Sequence, residues 1–247
     1  MLKAHKRLEN KVALVTGASR GLGRAVALAL AKEGAQIIAT ARTQGGLEEL
    51  DDVVKAAGSS ATLVPMDMLD FPAIDRLGAA IFERWKRLDI LIGNAGLLGK
   101  LTPVPHIEPK SWDDVMGVNV TANYRLIRST DPLLRMAPHG RAVFVTSGAA
   151  HSTPAYWGVY SVSKAALDAM VKTYAAEMAT TTVRANCFSP GATRTRMRAT
   201  AMPGEDPMTL PSADEVTAQI VPMCTESFTD NGADYKYAAS GLFKQSI

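Results

Sequence analysis

Tyr160 and Lys164 stand four residues apart in the run Tyr160-Ser161-Val162-Ser163-Lys164. On a helix the two side chains share one face, a turn apart. A phenol titrates near pH 10 and moves protons poorly at neutral pH unless a neighbouring cation favours phenolate. A lysine at this spacing is such a cation, so the pair reads as an acid–base couple; the plainer reading of Tyr160 alone is a half-buried packing tyrosine. Ser147 closes the apolar run 141–146, where its hydroxyl is suited to hold a carbonyl oxygen beside the phenol. Asn119 sits within the apolar stretch 112–134, a place where Asn is ordinarily exposed or locally bonded.

A second chemistry lies near the start of the chain. Thr16-Gly17-Ala18-Ser19-Arg20-Gly21-Leu22-Gly23 follows a short apolar run and precedes an Ala/Leu-rich stretch. Glycines between a strand and a helix allow a tight turn and let backbone N–H groups approach a pyrophosphate at the helix N-terminus. The spacing departs from G-x-G-x-x-G, and a glycine turn after a strand is sometimes only a turn. About 20 residues further on, cofactors with a free 2′-hydroxyl usually meet an acidic residue. Here the segment is Ala39-Thr40-Ala41-Arg42-Thr43, with no acid. Arg42 and Arg20 together suit a 2′-phosphate, which guanidinium grips bidentately; otherwise both are solvated surface charges.

The elements that must position these residues alternate along the chain. Apolar runs at 12–16, 36–41, 62–66, 89–92, 141–146 and 183–188, with a weaker one at 233–238, predict seven strands. Helices are predicted at 21–33, 46–57, 71–87, 108–134 and 155–178, the first closed by Gly34. Continuous apolar strands separated by helices predict a Rossmann-type doubly wound α/β fold. Its seven-stranded parallel sheet would be flanked by helices on both faces. No repeat, low-complexity tract or linker divides the sequence, so 1–247 is expected to form one domain.

Composition excludes several classes. The 247 residues are 47% hydrophobic and 21% charged, which permits a sizeable core and excludes global disorder. The longest apolar run, 25–31, is far too short to cross a bilayer, which takes about 20 residues. The start MLKAHKRLENK lacks the apolar segment of a secretory signal. Two cysteines, Cys187 and Cys224, argue against a disulfide scaffold and for a reducing compartment, so a cytoplasmic protein is expected. With a net charge of +3 and no aromatics interleaved with basic residues, nucleic-acid binding is not expected. The four histidines (His5, His106, His139, His151) show no metal-ligand spacing, and no G-x-S-x-G surrounds Ser147 to support a Ser–His hydrolase.

Together these residues resemble the short-chain dehydrogenase/reductase family. The resemblance is carried by the glycine turn, Asp67-Met68, Gly93-Asn94-Ala95-Gly96, Val118-Asn119-Val120, Ser147, Tyr160/Lys164 and Pro190-Gly191-Ala192-Thr193-Arg194-Thr195. It spans about residues 11–195, and 191–207 is similar to a bacterial subgroup of largely uncharacterised oxidoreductases. The resemblance implies that Tyr160 is the acid–base residue and that Lys164 lowers its pKa and holds the nicotinamide ribose. It implies that Ser147 polarises the substrate oxygen and that Asn119 anchors a water linking Lys164 to solvent. Gly17, Ser19, Arg20, Gly21, Leu22 and Gly23 would bind the cofactor with Arg42. Asp67 and Met68 would lie at the adenine, Asn94, Ala95 and Gly96 near the ribose, and Pro190, Gly191, Thr193 and Thr195 at the carboxamide. NADP(H) is the cofactor implied, and reduction the working direction. Two departures stand out: position 93 is Gly where the family often has Asn, and the C-terminal segment is short.

The expected activity is NADP(H)-dependent interconversion of a small-molecule carbonyl and its alcohol. The contrasting possibility is a non-catalytic NADP(H)-binding or sensing protein on the same fold. A substrate loop is expected at about 191–210. Its Arg194, Arg196 and Arg198 are either a solvated surface or an attractor for an anionic substrate. Trp112, Val115, Met116, Leu167, Met170, Val171 and Tyr174 give the two longest helices more apolar surface than a solvent face needs. A homo-oligomer, dimer or tetramer, is therefore expected.

Overall fold

The computed structural model describes residues 6–245; His5 and the first residues of the basic N-terminal run lie outside them. The strands are β1 (Val12–Thr16), β2 (Gln36–Ala41), β3 (Ala61–Pro65), β4 (Ile90–Gly93), β5 (Arg141–Val145), β6 (Arg184–Ser189), β7 (Asp234–Lys236) and β8 (Phe243–Lys244). They form one sheet in the order β3-β2-β1-β4-β5-β6-β7-β8. All neighbours are parallel except the last pair, where β8 turns back antiparallel along β7. The sheet therefore has eight strands rather than seven. The eighth was missed because a two-residue strand has no periodicity to read; it is placed by the turn at Gly241, whose φ of 121° only glycine adopts freely.

Eight helices matter for the site: α1 (Gly21–Lys32), α2 (Gln44–Ala56), α3 (Phe71–Trp85), α4 (Pro109–Met116), α5 (Ala122–Met136), α6 (Ala149–Ser152), α7 (Gly158–Glu177) and α8 (Arg196–Ala201). Alternation along the strands divides the core. Ala13 and Val15 of β1 pack with Leu30 of α1 and Leu50 of α2 on one face. Leu14 packs with Ile74 of α3, Leu126 of α5 and Leu167 of α7 on the other. Strands buried on both faces explain why their sequences are continuous apolar runs.

Two helices differ from expectation for local reasons. The stretch 108–134 is interrupted by a wide π turn at Gly117–Thr121, which separates α4 from α5. Such turns insert a residue into the helical ladder and collect at functional sites; this one carries Asn119. The stretch 155–178 becomes helical only at Gly158, because Tyr156 has a left-handed φ of 72° that breaks the helix before it. Gly93, the departure noted above, has a packing reason. A Cβ there would stand 2.4 Å from the Phe144 ring and 2.7 Å from Asn123 Oδ1, so the glycine makes room for both.

Candidate active site

The chain order reverses between β1 and β4, the topological switch point where open α/β sheets bind ligands beyond the strands' carboxyl ends. Both strands end in the predicted motifs. Gly17 and Gly21 hold φ of 66° and 55°, and a Cβ on Gly23 would lie 2.2 Å from the Gly17 carbonyl oxygen. The turn can thus close onto α1 only with glycine at 23. Arg20, at the N-cap, offers no side-chain bond to the helix, so the first N–H groups of α1 keep their positive field for a ligand.

Asn94 locks β4 to this turn. Its Nδ2 donates to Thr16 O at 2.8 Å, and its backbone N–H and that of Ala95 both donate to Thr16 Oγ1 at 3.0 Å. Asn94 therefore braces the turn in this structure, and Thr16, the first residue of the glycine-turn motif, is the hub of the brace.

Arg20 and Arg42 are both exposed, and neither side chain forms an internal hydrogen bond or ion pair among the described residues. A Cβ on Gly46 of α2 would meet Ser19 Cβ at 2.9 Å, so the glycine turn and the segment following Arg42 adjoin. Asp67 is exposed at the end of β3, its Oδ1 accepting from Leu69 N at 3.0 Å, and Met68 is buried beside it. Across the opening, Thr193 is buried and its Oγ1 donates to Pro190 O at 3.0 Å. Thr195 caps α8 by accepting from Arg198 N at 3.2 Å, and its methyl stands 3.8 Å from where a Cβ on Gly21 would be. The glycine turn and the loop after β6 face each other across one opening.

Tyr160 and Lys164 lie on the first turns of α7, as the spacing predicted. The phenol is 8% exposed, packed among Leu98, Ala149 and Ala201 and edge-on to Trp157 at 5.9 Å between ring centroids. Ala201 belongs to α8, so the loop after β6 lies over the phenol. Burial raises the Tyr160 pKa and a hydrogen bond from Ser147 lowers it. Ser147 and Tyr160 are therefore together at the carboxyl edge of the sheet.

Lys164 donates to Val145 O at 2.7 Å, and its Nζ is 5.8 Å from the centre of the Tyr160 ring. Burial pulls its pKa down to about 8, with Asp168 opposing that pull. A Cβ on Gly96 would lie 3.7 Å from Nζ and 3.4 Å from Asn119 Oδ1, so glycine keeps the space between those side chains open.

Asn119 is fully buried. Its side chain exchanges hydrogen bonds of 2.8 and 2.9 Å with the Leu97 backbone and donates to Ser163 Oγ at 2.9 Å. Its backbone carbonyl accepts from Asn123 Nδ2 at 2.8 Å. Asn123, a residue the sequence did not mark, thereby supports the π turn.

The arginine cluster is divided. Arg198 forms a bidentate pair with Glu205 at 2.6 and 2.7 Å, Arg194 reaches Met208 Sδ at 3.2 Å, and Arg196 is exposed. No helix among the described residues is long and apolar enough to cross a membrane.

A doubly wound sheet with a glycine turn at its switch point and a Ser–Tyr–Lys group on its carboxyl edge defines a dinucleotide-dependent type of oxidoreductase. The chain belongs to the short-chain dehydrogenase family, whose sequence profile matches residues 11–206. It is similar to YciK, an uncharacterised oxidoreductase of Escherichia coli K12, at 36% identity over 219 residues, 87% of this chain and 85% of that one. Its fold matches a short-chain dehydrogenase from Shigella flexneri solved with NADP, with a TM-score of 0.90 and 32% identity over 94% of this chain and 99% of that one. A short-chain dehydrogenase from Escherichia coli CFT073 solved with NADPH matches equally, with a TM-score of 0.90 and 33% identity over 94% and 98%.

Proposed function

We propose that this oxidoreductase uses NADP(H) to interconvert an uncharged carbonyl compound and its alcohol, with Tyr160 as the acid–base residue. The observation that carries the reading is the meeting of Ser147, Tyr160 and Lys164 beside the Gly17–Gly23 turn, on a sheet whose second strand ends in Arg42 and no acid. The residues present fit the cofactor. The turn admits no Cβ at Gly23, the N-terminus of α1 lacks a side-chain cap, and the Arg20 and Arg42 side chains are free of internal partners.

Backbone N–H groups from Ser19 to Gly23, including Leu22, would hold the pyrophosphate, and Arg20 and Arg42 the 2′-phosphate. Asp67 and Met68 would flank the adenine, with Asn94, Ala95 and Gly96 along the ribose. Lys164 and Tyr160 would meet the second ribose, and Pro190, Gly191, Thr193 and Thr195 the carboxamide. When bound, the cofactor supplies or takes up the hydride. Ser147 holds the substrate oxygen, Tyr160 gives that oxygen its proton during reduction, and Lys164 supplies the positive charge that favours phenolate. Asn119 fixes the loop carrying Gly96 and Leu97 against α7. Leu98, Leu101, Ala149, Trp157 and Ala201 give the phenol an apolar surrounding, and Glu205 neutralises Arg198. Both favour an uncharged substrate over an anionic one.

The test is NADPH consumption against a panel of ketones and aldehydes, with NADH run in parallel. Turnover of neutral carbonyls with NADPH supports the reading. Tight NADPH binding with no turnover across the panel would point to a cofactor-binding protein without catalysis.

A further inference from the structure

Beyond Lys164, further along the same face of α7 from Tyr160, the structure holds a buried cluster of ionisable groups that the reaction above does not use. Lys164, Asp168 and Lys172 follow one another at four-residue intervals along the inner face of α7. Asp234 enters from β7, beside Cys187 of β6 in the sheet register. Asp168 and Asp234 are 3% and 4% exposed. Asp234 has its own cation, since Lys172 Nζ lies 2.8 Å from its Oδ2. Asp168 has no lysine within ion-pair distance; its ion-pair partner is the His151 imidazole, and its carboxylate oxygens, like those of Asp234, form no hydrogen bond of good geometry. Facing it are the Thr146 hydroxyl at the end of β5, the Cys187 thiol, Asp234, and His151 of α6 with Nε2 at 3.4 Å. Along the helix it faces Lys164 on one side and Lys172 on the other.

A carboxylate is costly to bury unless something nearby repays its lost hydration. Lys164 has the converse problem, being buried with only the Val145 carbonyl and the Asn119 region for polar company. Asp168 is the carboxylate whose field reaches it. Burial raises the Asp168 pKa as it lowers that of Lys164, so each group disfavours its own charge, and the two, one turn apart on the same helix face, are ionised at least cost together.

We propose that Asp168 is a positioning residue for the reaction: it is the buried counter-ion that keeps Lys164 charged. This rests on Lys164 having the role given above, but the charge state can be read without turnover. His151, 42% exposed at its side chain, is the polar group between Asp168 and solvent.

The experiment is a pH titration of the cofactor-free protein carrying lysine labelled with carbon-13 at the ε position. The Lys164 resonance is assigned by its loss in Lys164→Arg. Asp168→Asn is expected to lower the Lys164 midpoint by about one pH unit, the effect of removing an opposite charge one helical turn away in a buried site. Asp168→Glu should restore most of the difference. In turnover assays, the basic limb of kcat/KM should move down in pH with the resonance, while KM for the carbonyl stays within about twofold.

An unchanged Lys164 midpoint in folded Asp168→Asn overturns the proposal. If Asp168→Asn does not fold, Asp168→Ser, which is smaller and keeps a hydroxyl in the cluster, is read in the same way. Absence of turnover in the wild-type protein would count against the catalytic reading and leave the titration to decide the role of Asp168.

Discussion

Asn119 grips both backbone polar groups of Leu97, accepting from Leu97 N at 2.8 Å and donating to Leu97 O at 2.9 Å. This pair fastens the loop after β4 to the π turn between α4 and α5, and the further bond to Ser163 fastens both to α7. Since α7 carries Tyr160 and Lys164, and the loop carries Asn94 and Gly96, one amide registers the two halves of the site.

Asn119→Ala leaves the Leu97 N–H and C=O without their partners. Leu97 is half-buried, so each group so orphaned costs about 1 kcal/mol, the low end of the range for a buried one. The variant should unfold at a lower denaturant concentration than wild type, with the same m-value. Loss of stability below about 1 kcal/mol would show that the clamp is not needed to hold the halves together.

Gly23→Ala places a methyl 2.2 Å from the Gly17 carbonyl oxygen and 2.5 Å from Asn94 Nδ2. Both contacts belong to the brace, so neither can yield without opening the turn. A destabilisation of about 2 kcal/mol or more is expected, together with loss of NADPH binding by calorimetry. A stable variant that still binds NADPH would remove the turn from the account.

Arg20→Ala and Arg42→Ala should each weaken NADPH binding roughly tenfold or more, at about 1.5–3 kcal/mol per charge-assisted contact. NADH binding should hardly change, since it lacks the 2′-phosphate. Equal effects on the two nucleotides would mean that these arginines act through the general field of the surface.

The Lys164 ammonium, held down to about 8 from 10.5, gives activity and stability opposite slopes in mild alkali. Above about pH 8 the folded protein gives up a proton that the unfolded chain keeps. The penalty for burying that charge is therefore relieved as pH rises through the window from 8 to 10.5. Turnover, which in the proposed mechanism needs the cation, should fall across the lower part of the same window. Stability measured in denaturant should gain an upward slope there that Lys164→Met lacks. Activity and stability falling together would contradict this.

The exposed apolar surface that could join copies of the chain keeps only part of what the sequence suggested, Trp112 among it. Val115, Leu167, Val171 and Tyr174 turn inward and are buried, while Trp112, Tyr124 and Val162 are exposed on the outer sides of α4, α5 and α7. Sedimentation of the wild-type protein should show a dimer or tetramer at micromolar concentration, shifted toward monomer by Tyr124→Glu with Val162→Glu. A wild-type monomer would refute the assembly.

What could be read from the chain divides along physical lines. β1 and β2 have the predicted bounds, because a strand covered on both faces is a continuous apolar run with turn residues at each end. Tyr160 and Lys164 were legible because their spacing is a helical turn. The π turn was not, because its cause is the bonding of Asn119 and Asn123 to distant and local backbone, and composition does not show that. Asp168 escaped notice for a related reason. A single acid on an amphipathic helix looks like a solvated charge until the sheet brings Asp234, Cys187 and Thr146 against it. The division of the arginine cluster likewise depends on Glu205, seven residues beyond Arg198, folding back onto it.

The central claim is that the Tyr160 hydroxyl transfers the proton. Tyr160→Phe removes one oxygen from a packed phenol and leaves the ring among Leu98, Ala149 and Trp157. The most direct measurement is NADPH oxidation with the best carbonyl of the panel by wild type and Tyr160→Phe, alongside the rise in melting temperature that NADPH gives each. Turnover reduced by about 100-fold or more in the variant, with the NADPH-induced rise preserved, is the predicted result. A variant that keeps NADPH binding and turns over at the wild-type rate would contradict the account.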